Sequence, residues 1–199
     1  MVRLSTVLWW RLDGIEVELE NGLGNDSIRR AERESIDAFV RSQRHYFRDG
    51  ARVLDYGCGE GRFQQLVKDS GGQWVGFDRS TFPGTVTGRD TGPDKPLHTF
   101  DYWDVILCTQ ILQFVPTPLA LLAEFRYALK PGGTLLLTYA TNWDEIEAGD
   151  LHRFTSNGVR RLLENVGFAI HTHQRRAHVA VGGFKFPLGY AVVAHRPLG

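Results

Sequence analysis

The sequence ARVLDYGCGEGRF, residues 51–63, constrains the fold more than any other part of this 199-residue chain. Its short apolar run ends at Asp55 and is followed by three glycines at alternate positions, Gly57, Gly59 and Gly61. Glycine adopts positive φ angles without a steric penalty, and because it lacks a Cβ the backbone can pass close to a ligand. The pattern therefore predicts a buried strand, a ligand-binding turn and a helix that begins near Gly61.

The chain after Gly50 alternates between apolar runs and helical patterns. Apolar strands separated by helices indicate a mostly parallel sheet with helices on both faces. The predicted strands are RVLDYG, QWVGFD, TVTG, WDVILCT and GTLLLTYA. The predicted helices are EGRFQQLVKD, TPLALLAEFRYAL, which the sequence KPGG at residues 130–133 stops, and SNGVRRLLENVGF, which ends at Gly167. The runs FAIHTHQRR and LGYAVVAHR predict an antiparallel pair at one edge of the sheet.

The first 47 residues follow a different pattern. Asp13 and Gly14 stand between two runs rich in β-forming residues, which is typical of a hairpin with a type I′ turn. Apolar residues recur at helical spacing from Ser27 to about Phe47 and predict a leading helix. Because 199 residues are too few for two domains of ordinary size, we expect one domain. In it, residues 1–47 form a hairpin and a helix cap, and residues 48–199 form the α/β core.

Charge and composition narrow the classes of partner. The chain has 23 Lys and Arg and 23 Asp and Glu, so its formal net charge is zero. A protein that binds nucleic acid or an anionic membrane mainly by charge would be more basic, so we expect a small or neutral acceptor. No apolar run approaches the roughly 18 residues that a membrane span requires, and no segment has the layout of a signal peptide. We therefore expect a cytoplasmic protein.

Metal-ligating residues do not cluster in the sequence. Cys58 and Cys108 fit neither a metal-ligand spacing nor a disulfide framework, so we expect buried, reduced thiols. His171 and His173 alternate along one predicted strand, but no carboxylate or cysteine partner accompanies them. We predict no metal site.

The spacing of the glycine turn distinguishes between nucleotide cofactors. A dinucleotide-binding turn has the pattern G-x-G-x-x-G and cradles a pyrophosphate. This chain has G-x-G-x-G with Asp55 two positions ahead of it, and a carboxylate is a poor neighbour for pyrophosphate. Asp78, which ends the second strand, can accept hydrogen bonds from both hydroxyls of a ribose, but it would do so for a nicotinamide cofactor as well.

The sequence VLDYGCGEG resembles the first motif of the class I S-adenosylmethionine-dependent methyltransferases. The resemblance implies that the glycine turn accommodates the amino-acid part of S-adenosylmethionine and that Asp55 holds its ammonium group. It also implies that Asp78 holds the ribose, that Asp90 accepts from the exocyclic amine of adenine, and that S-adenosylhomocysteine is the product. The cofactor-binding residues predicted in this way are Asp55, Gly57, Cys58, Gly59, Asp78, Arg79, Asp90, Thr109 and Gln110.

The resemblance extends over most of the chain and narrows to the type 11 branch of small methyltransferases, which is often associated with glycan and natural-product pathways. The sequences WDVILCTQILQFVPTPLALLAEFRYALKPGG and DLHRFTSNGVRRLLENVGF carry it. It implies a doubly wound, mostly parallel, seven-stranded Rossmann-like sheet with an antiparallel edge strand and an N-terminal hairpin-plus-helix extension. The implied acceptor is a small molecule or a glycan-linked group, and the question of a homodimer stays open.

The chain departs from this branch after the fourth strand, where Gln-Phe-Val at residues 113–115 replaces the usual Glu-His-Val. In-line methyl transfer depends mainly on positioning, and a general base is needed only for an acceptor that arrives protonated. The candidate bases are His152, whose unperturbed pKa lies near neutrality, and Tyr139. Phe114 and Trp143 are expected to form an aromatic wall for the acceptor.

Three other functions stay open on the sequence. The replaced Glu-His pair leaves room for a non-catalytic module that keeps the nucleotide pocket and serves in an interaction. A nicotinamide-dependent oxidoreductase on a similar sheet is disfavoured by the glycine spacing and by Asp55. A nucleic-acid methyltransferase is disfavoured by the neutral charge and by CTQI in place of an Asn/Asp-Pro-Pro-aromatic motif.

Overall fold

The computed structural model describes residues 8–9, 25–80, 86–87, 97, 99–141, 149–181 and 184–199. Within these residues the strands are β1 Leu8–Trp9, β2 Arg52–Tyr56, β3 Gln73–Asp78, β4 Val86–Thr87, β5 Trp103–Thr109, β6 Leu129–Ala140, β7 Ala169–Arg175, β8 His178–Val181, β9 Phe184–Pro187 and β10 Gly189–His195. The α-helices are α1 Asn25–Ser42, α2 Gln64–Asp69, α3 Pro118–Ala128 and α4 Ser156–Asn165, and short 3-10 helices cover Arg44–Phe47 and Leu112–Phe114.

Seven of these strands form the main sheet in the order β4-β3-β2-β5-β6-β10-β7. The five strands from β4 to β6 pair in parallel, whereas β10 runs antiparallel to both of its neighbours. The predicted mostly parallel α/β sheet with an antiparallel pair at one edge is therefore confirmed. The strand that runs against the others is β10, one position in from the edge. A second, antiparallel sheet of β1, β8 and β9 was not predicted.

The central strands carry apolar residues on both faces, and each face of the sheet is covered. Leu54, Ile106 and Leu135 face α3 and α4, which contribute buried residues such as Phe125 and Leu163. The alternate residues of the same strands face the other side of the sheet, where they pack against α1, α2 and the 3-10 helix Arg44–Phe47. This second cluster includes Val53, Val105, Leu136, Phe39 and Val67. Each of these side chains contributes about 1.5–3 kcal/mol when fully buried, so this core holds the carboxyl ends of the strands in fixed positions.

Two predictions about element boundaries need correction, and a third is not tested. Helix α2 begins at Gln64 rather than near Gly61, because Gly61 has a φ of 79°, which a helix does not allow. Strand β6 begins at Leu129 and includes the KPGG sequence, since Gly132 and Gly133 exchange backbone hydrogen bonds with Arg196. Most of the predicted N-terminal hairpin lies outside the described residues, which in that part of the chain comprise β1 and α1.

A buried ion pair joins α1 to the end of the sheet. The guanidinium of Arg176, which follows β7, is fully buried and donates to Glu32 Oε1 at 3.2 Å and to Ser35 Oγ at 2.8 Å. It also donates to the backbone carbonyl of Tyr190 at 3.2 Å. Because a buried charge without partners is costly, this network fixes α1 beside the carboxyl ends of β6 and β7.

The start of α4 has a side-chain cap. Thr155 Oγ1 accepts a hydrogen bond from the backbone N–H of Gly158 at 3.0 Å, which satisfies one of the free donors of the first helical turn. We expect Thr155→Ala to lower the free energy of unfolding by about 1 kcal/mol, and Thr155→Ser, which keeps the acceptor, to change it by a few tenths. Urea denaturation measures both values. Equal stability of the two variants would contradict the capping role.

None of the helices in the described part of the chain has the length and apolar character needed to cross a membrane.

Candidate functional site

The glycine turn that follows β2 is folded against the end of β3. The backbone N–H groups of Gly57 and Cys58 both donate to the carbonyl of Phe77, at 2.7 and 3.1 Å. Gly57, Gly59 and Gly61 have φ angles of 77°, 52° and 79°, a region that other residues avoid. The turn therefore needs glycine at all three positions.

Gly57 and Gly59 differ in what an added Cβ would contact. A Cβ on Gly57 would lie 2.2 Å from Cδ1 of Ile111, so the space is taken by a side chain of the protein itself. A Cβ on Gly59 would meet no described atom within 4 Å. An added Cβ is therefore excluded at Gly57 by the protein's own packing, whereas the space beside Gly59 is open.

Asp55, the last acidic residue before the turn, is fully buried. Its Oδ2 accepts a hydrogen bond from the indole N–H of Trp74 at 3.1 Å, and its Oδ1 has no partner among the described residues. Burial raises the pKa of Asp55 to about 7; the Trp74 hydrogen bond opposes this rise and the negative charge of Asp78 adds to it. Buried polar atoms normally have a hydrogen-bond partner, so Asp55 Oδ1 is a candidate acceptor for a cationic or hydrogen-bond-donating ligand group.

Asp78 ends β3 on the other side of the turn. Its Oδ2 accepts from the backbone N–H of Gly59 at 2.8 Å, and its Oδ1 accepts from the N–H of Ser80 at 2.9 Å. An ionised carboxylate has about four acceptor positions, so each oxygen retains one for a ligand. Asp78 thus holds the turn in shape and still presents acceptors to the adjacent cavity.

A cavity of about 310 Å³ opens beside the turn. Asp78, Arg79 and Ser80 form its polar part. The rest of its lining is mainly apolar and consists of Tyr56, Gly57, Phe77, Ile111, Phe114, Val115 and Gly149. Of the predicted cofactor-binding residues, Gly57, Asp78 and Arg79 line the cavity directly. Asp55, Cys58 and Gly59 lie in the strand end and turn beside it, and Asp90 lies outside the described residues.

Three predicted cofactor contacts, Cys58, Thr109 and Gln110, are not among the cavity-lining residues. Cys58 is buried and its thiol lies 3.5 Å from the carbonyl of Gly59; burial raises its pKa to about 12, so it stays protonated. Thr109 is the last residue of β5. Gln110 follows with a φ of 58°, and its backbone N–H donates to the carbonyl of Thr138 at 3.0 Å.

The two candidate bases, His152 and Tyr139, lie in different surroundings. His152 Nε2 lies 3.0 Å from the carbonyl oxygen of Val115, which lines the cavity. Because a carbonyl only accepts, Nε2 carries the proton, and Nδ1 is the basic nitrogen of the neutral ring. Tyr139 is fully buried, and its hydroxyl lies 2.7 Å from His173 Nε2. Neither residue is among those that line the cavity. Burial raises the pKa of Tyr139 well above its ordinary value, which makes Tyr139 the weaker candidate.

Gln113 connects two segments that border the cavity. Its side-chain Nε2 donates to the carbonyl of Gln110 at 2.9 Å, and its backbone carbonyl accepts from the N–H groups of Leu151 and His152 at 2.8 and 3.2 Å. Of the two residues predicted for an acceptor wall, Phe114 lines the cavity and Trp143 lies outside the described residues. The described residues contain no group of three or more His, Cys, Asp or Glu that could hold a metal ion.

Sequence reasoning missed two residues of the site. Trp74 gave no signal as a partner of Asp55, although its position two residues before Gly76 on one face of β3 could have indicated that its ring lies along the strand. Ile111 was given no role, and its contact with the turn depends on the pairing of β2 with β5.

Comparison with known proteins assigns the chain to a family. Residues 28–173 match the family of methyltransferase domains. Because this match spans well over half of the chain, the chain belongs to that family.

Relatives and solved structures agree with this assignment. The ubiquinone biosynthesis O-methyltransferase of Aliivibrio fischeri (strain MJ11) is 28% identical over 139 residues, which cover 63% of this chain and 57% of the relative. The chain thus spans little more than half the length of this curated relative.

Two solved structures show the same fold. A SAM-dependent methyltransferase from Archaeoglobus fulgidus has a TM-score of 0.63 at 17% identity, covering 86% of this chain and 100% of that chain. The [4+2]-cyclase SpnF has a TM-score of 0.62 at 18% identity, covering 84% and 82%. At such identities the likeness concerns the fold alone, and it confirms the predicted Rossmann-like class.

Proposed function

We propose that this chain is an S-adenosylmethionine-dependent methyltransferase that acts on a small-molecule or glycan-linked acceptor. The observation that carries the proposal is Asp55, a fully buried carboxylate whose Oδ1 has no partner among the described residues and which directly precedes the glycine turn. A buried carboxylate is stabilised by a cationic partner. The amino-acid part of S-adenosylmethionine carries an ammonium group, so the residues present fit this cofactor.

The rest of the cavity supports the same cofactor. The free acceptor positions of Asp78 suit the two hydroxyls of a ribose, and Phe77, Ile111 and Phe114 offer apolar surface for a base and a thioether. Arg79, Thr109 and Gln110 are proposed to complete the pocket, and Asp90 is proposed to contact adenine. A nicotinamide dinucleotide fits less well, because its pyrophosphate would lie at the turn beside Asp55.

When bound, S-adenosylmethionine supplies an electrophilic methyl group on a sulfonium. The protein then has to hold the acceptor in line and exclude water, and Ile111, Phe114 and Val115 provide an apolar wall for this purpose. For an acceptor that arrives as a hydroxyl or an ammonium, we propose His152 as the base. Its contact with the carbonyl of Val115 orients the ring and leaves Nδ1 as the atom that takes the proton.

The acceptor class is proposed from three features. The relative from Aliivibrio fischeri is named for O-methylation in ubiquinone biosynthesis, which favours an oxygen on a small molecule. The sequence resemblance to the type 11 branch favours the small-molecule or glycan-linked class, and the zero net charge speaks against nucleic acid.

Calorimetric titration with S-adenosylhomocysteine tests the cofactor. We expect micromolar binding by the wild-type protein and at least about tenfold weaker binding by Asp78→Ala, because an ionised acceptor contributes about 1.5–3 kcal/mol per hydrogen bond. Asp69→Ala is the matched control, since Asp69 is a surface carboxylate on α2 that bonds to Gln65. The control should bind like the wild type.

The same titration separates the alternatives. Heat with NADH and none with S-adenosylhomocysteine from folded protein would contradict the proposal and favour an oxidoreductase. Binding of S-adenosylhomocysteine without methyl transfer from labelled cofactor to any acceptor of a panel of phenols and sugars would favour the non-catalytic module.

A further inference from the structure

The indole ring of Trp74 occupies a slot that two glycines leave open. A Cβ on Gly76 would lie 2.2 Å from Cη2 of Trp74, and a Cβ on Gly61 would lie 3.3 Å from the same atom. The ring therefore lies along β3 from Trp74 past Gly76 and reaches the end of the glycine turn. An alanine at position 76 would force the ring to move, because real Cβ atoms do not approach other atoms this closely.

The slot brings the indole N–H to the buried carboxylate of β2. Trp74 Nε1 donates to Asp55 Oδ2 at 3.1 Å, while Oδ1 has no partner among the described residues. β2 and β3 are parallel neighbours in which Val53 pairs with Trp74 and Asp55 with Gly76. Asp55 therefore lies two residues beyond Val53, on the same face of the sheet. One oxygen of the carboxylate is thus fixed and the other is left for a ligand.

We propose that Trp74 is a positioning residue for cofactor binding: its indole N–H holds Oδ2 of Asp55 so that Oδ1 is presented to the ammonium group of S-adenosylmethionine. The identity of the ligand in this inference rests on the proposed function. The contact between Trp74 and Asp55 does not depend on it and can be tested without a ligand.

The groups around Asp55 determine how the contact can be measured. Asp78 faces it from the end of β3, Cys58 from the turn and Cys108 from β5. Burial raises the pKa of both thiols, so they stay neutral near pH 7, and the negative charge of Asp78 raises the pKa of Asp55. The hydrogen bond from Trp74 acts in the opposite direction and favours the ionised carboxylate, which is the form that binds a cation.

The first arm of the test is a titration with S-adenosylhomocysteine between pH 5.5 and 9. Trp74→Phe keeps an aromatic ring and removes the donor, so the pH at which affinity is half-maximal should rise by about one unit. Binding at pH 7 should then be about fivefold weaker, and the difference from wild type should shrink towards pH 9. In the Asp55→Asn background, Trp74→Phe should have no further effect on the pH dependence.

Two controls separate positioning from packing. Trp103→Phe removes another buried indole, on β5, and should leave the half-maximal pH unchanged. Methylthioadenosine lacks the ammonium group, so its affinity should not follow the ionisation of Asp55 in any variant. A half-maximal pH that is the same in Trp74→Phe and wild type would overturn the inference.

The second arm is urea unfolding without ligand over the same pH range. The free energy of unfolding of the wild type should fall with rising pH and level off near the pKa of Asp55, at about pH 7. In Trp74→Phe it should level off about one pH unit higher. Levelling off at the same pH in both proteins would overturn the contact. If the wild type does not bind S-adenosylhomocysteine at any pH, both the proposed function and the role of Trp74 in cofactor binding are wrong. The unfolding curves then still test whether Trp74 forms a hydrogen bond with Asp55.

Discussion

Asp55→Asn is expected to be more stable than the wild type at pH 8 and to bind S-adenosylhomocysteine more weakly by a factor of roughly 100. Burial raises the pKa of Asp55 from 3.8 to about 7, so the folded protein binds this proton more tightly than the unfolded chain does. The stability that the protonated form provides is complete below about pH 4 and is lost as the pH rises to about 7. At pH 8 the wild type carries a buried charge that Asn avoids.

The size of this effect follows from the change in pKa. A rise of this extent corresponds to a penalty on the order of 4 kcal/mol at pH 8, or a melting temperature roughly 8–16 °C higher for the variant. At pH 4 the two proteins should unfold at similar temperatures. Asn can still accept the hydrogen bond from Trp74 but offers no negative charge to an ammonium group, which accounts for the loss of affinity.

Calorimetric unfolding at pH 4 and pH 8 and ligand titration at pH 8 measure these changes. Asp69→Asn is the control, because Asp69 is on the surface of α2 and should change neither quantity by much. A variant Asp55→Asn that is less stable than the wild type at pH 8, or that binds the ligand equally well, would show that Asp55 is a structural residue.

Gly57→Ala is expected to lower the free energy of unfolding by roughly 2–5 kcal/mol. Two costs add at this position. The φ of 77° costs an L-residue about 1–2 kcal/mol. The new Cβ would also lie 2.2 Å from Cδ1 of Ile111, and relieving such an overlap in a packed region costs about 1–3 kcal/mol.

Gly59→Ala provides the matched control for this prediction. Gly59 also has a positive φ, of 52°, but a Cβ there would meet no described atom within 4 Å, so only the backbone cost of about 1–2 kcal/mol applies. In the double variant Gly57→Ala with Ile111→Ala, the second change should cost less than it does alone, because it removes the overlap. Urea denaturation of the four proteins gives the coupling. Equal losses for Gly57→Ala and Gly59→Ala would contradict the contact with Ile111.

The elements that could be predicted from sequence are those whose pattern is local. WDVILCT forms β5 at the predicted residues. A short, mainly apolar run that contains β-branched residues favours a buried strand over a helix. The start of α2 could not be predicted as well, since the φ of Gly61 depends on hydrogen bonds within the turn. The sheet of β1, β8 and β9 was missed because its pairing joins segments far apart in the chain.

The site shows the same division. Asp55 was predicted from the resemblance of its motif to the methyltransferases, and Asp78 from its position at the end of the second strand. The structure brings both to the glycine turn, where the backbone N–H of Gly59 donates to Asp78. Tyr139 was placed at the right strand end, but which face of the sheet it occupies, and therefore its burial beside His173, follows from packing. The contact of Trp74 with Asp55 requires a slot formed by two glycines on different elements, which no local pattern indicates.

A crystal structure of the protein with S-adenosylhomocysteine tests the central claim most directly. The account predicts that the ligand lies in the cavity beside the glycine turn, with its ammonium group bound to Asp55 Oδ1 directly or through one water and its ribose hydroxyls bound to Asp78. A ligand bound elsewhere, or a complex in which Asp55 Oδ1 still has no partner, would contradict it.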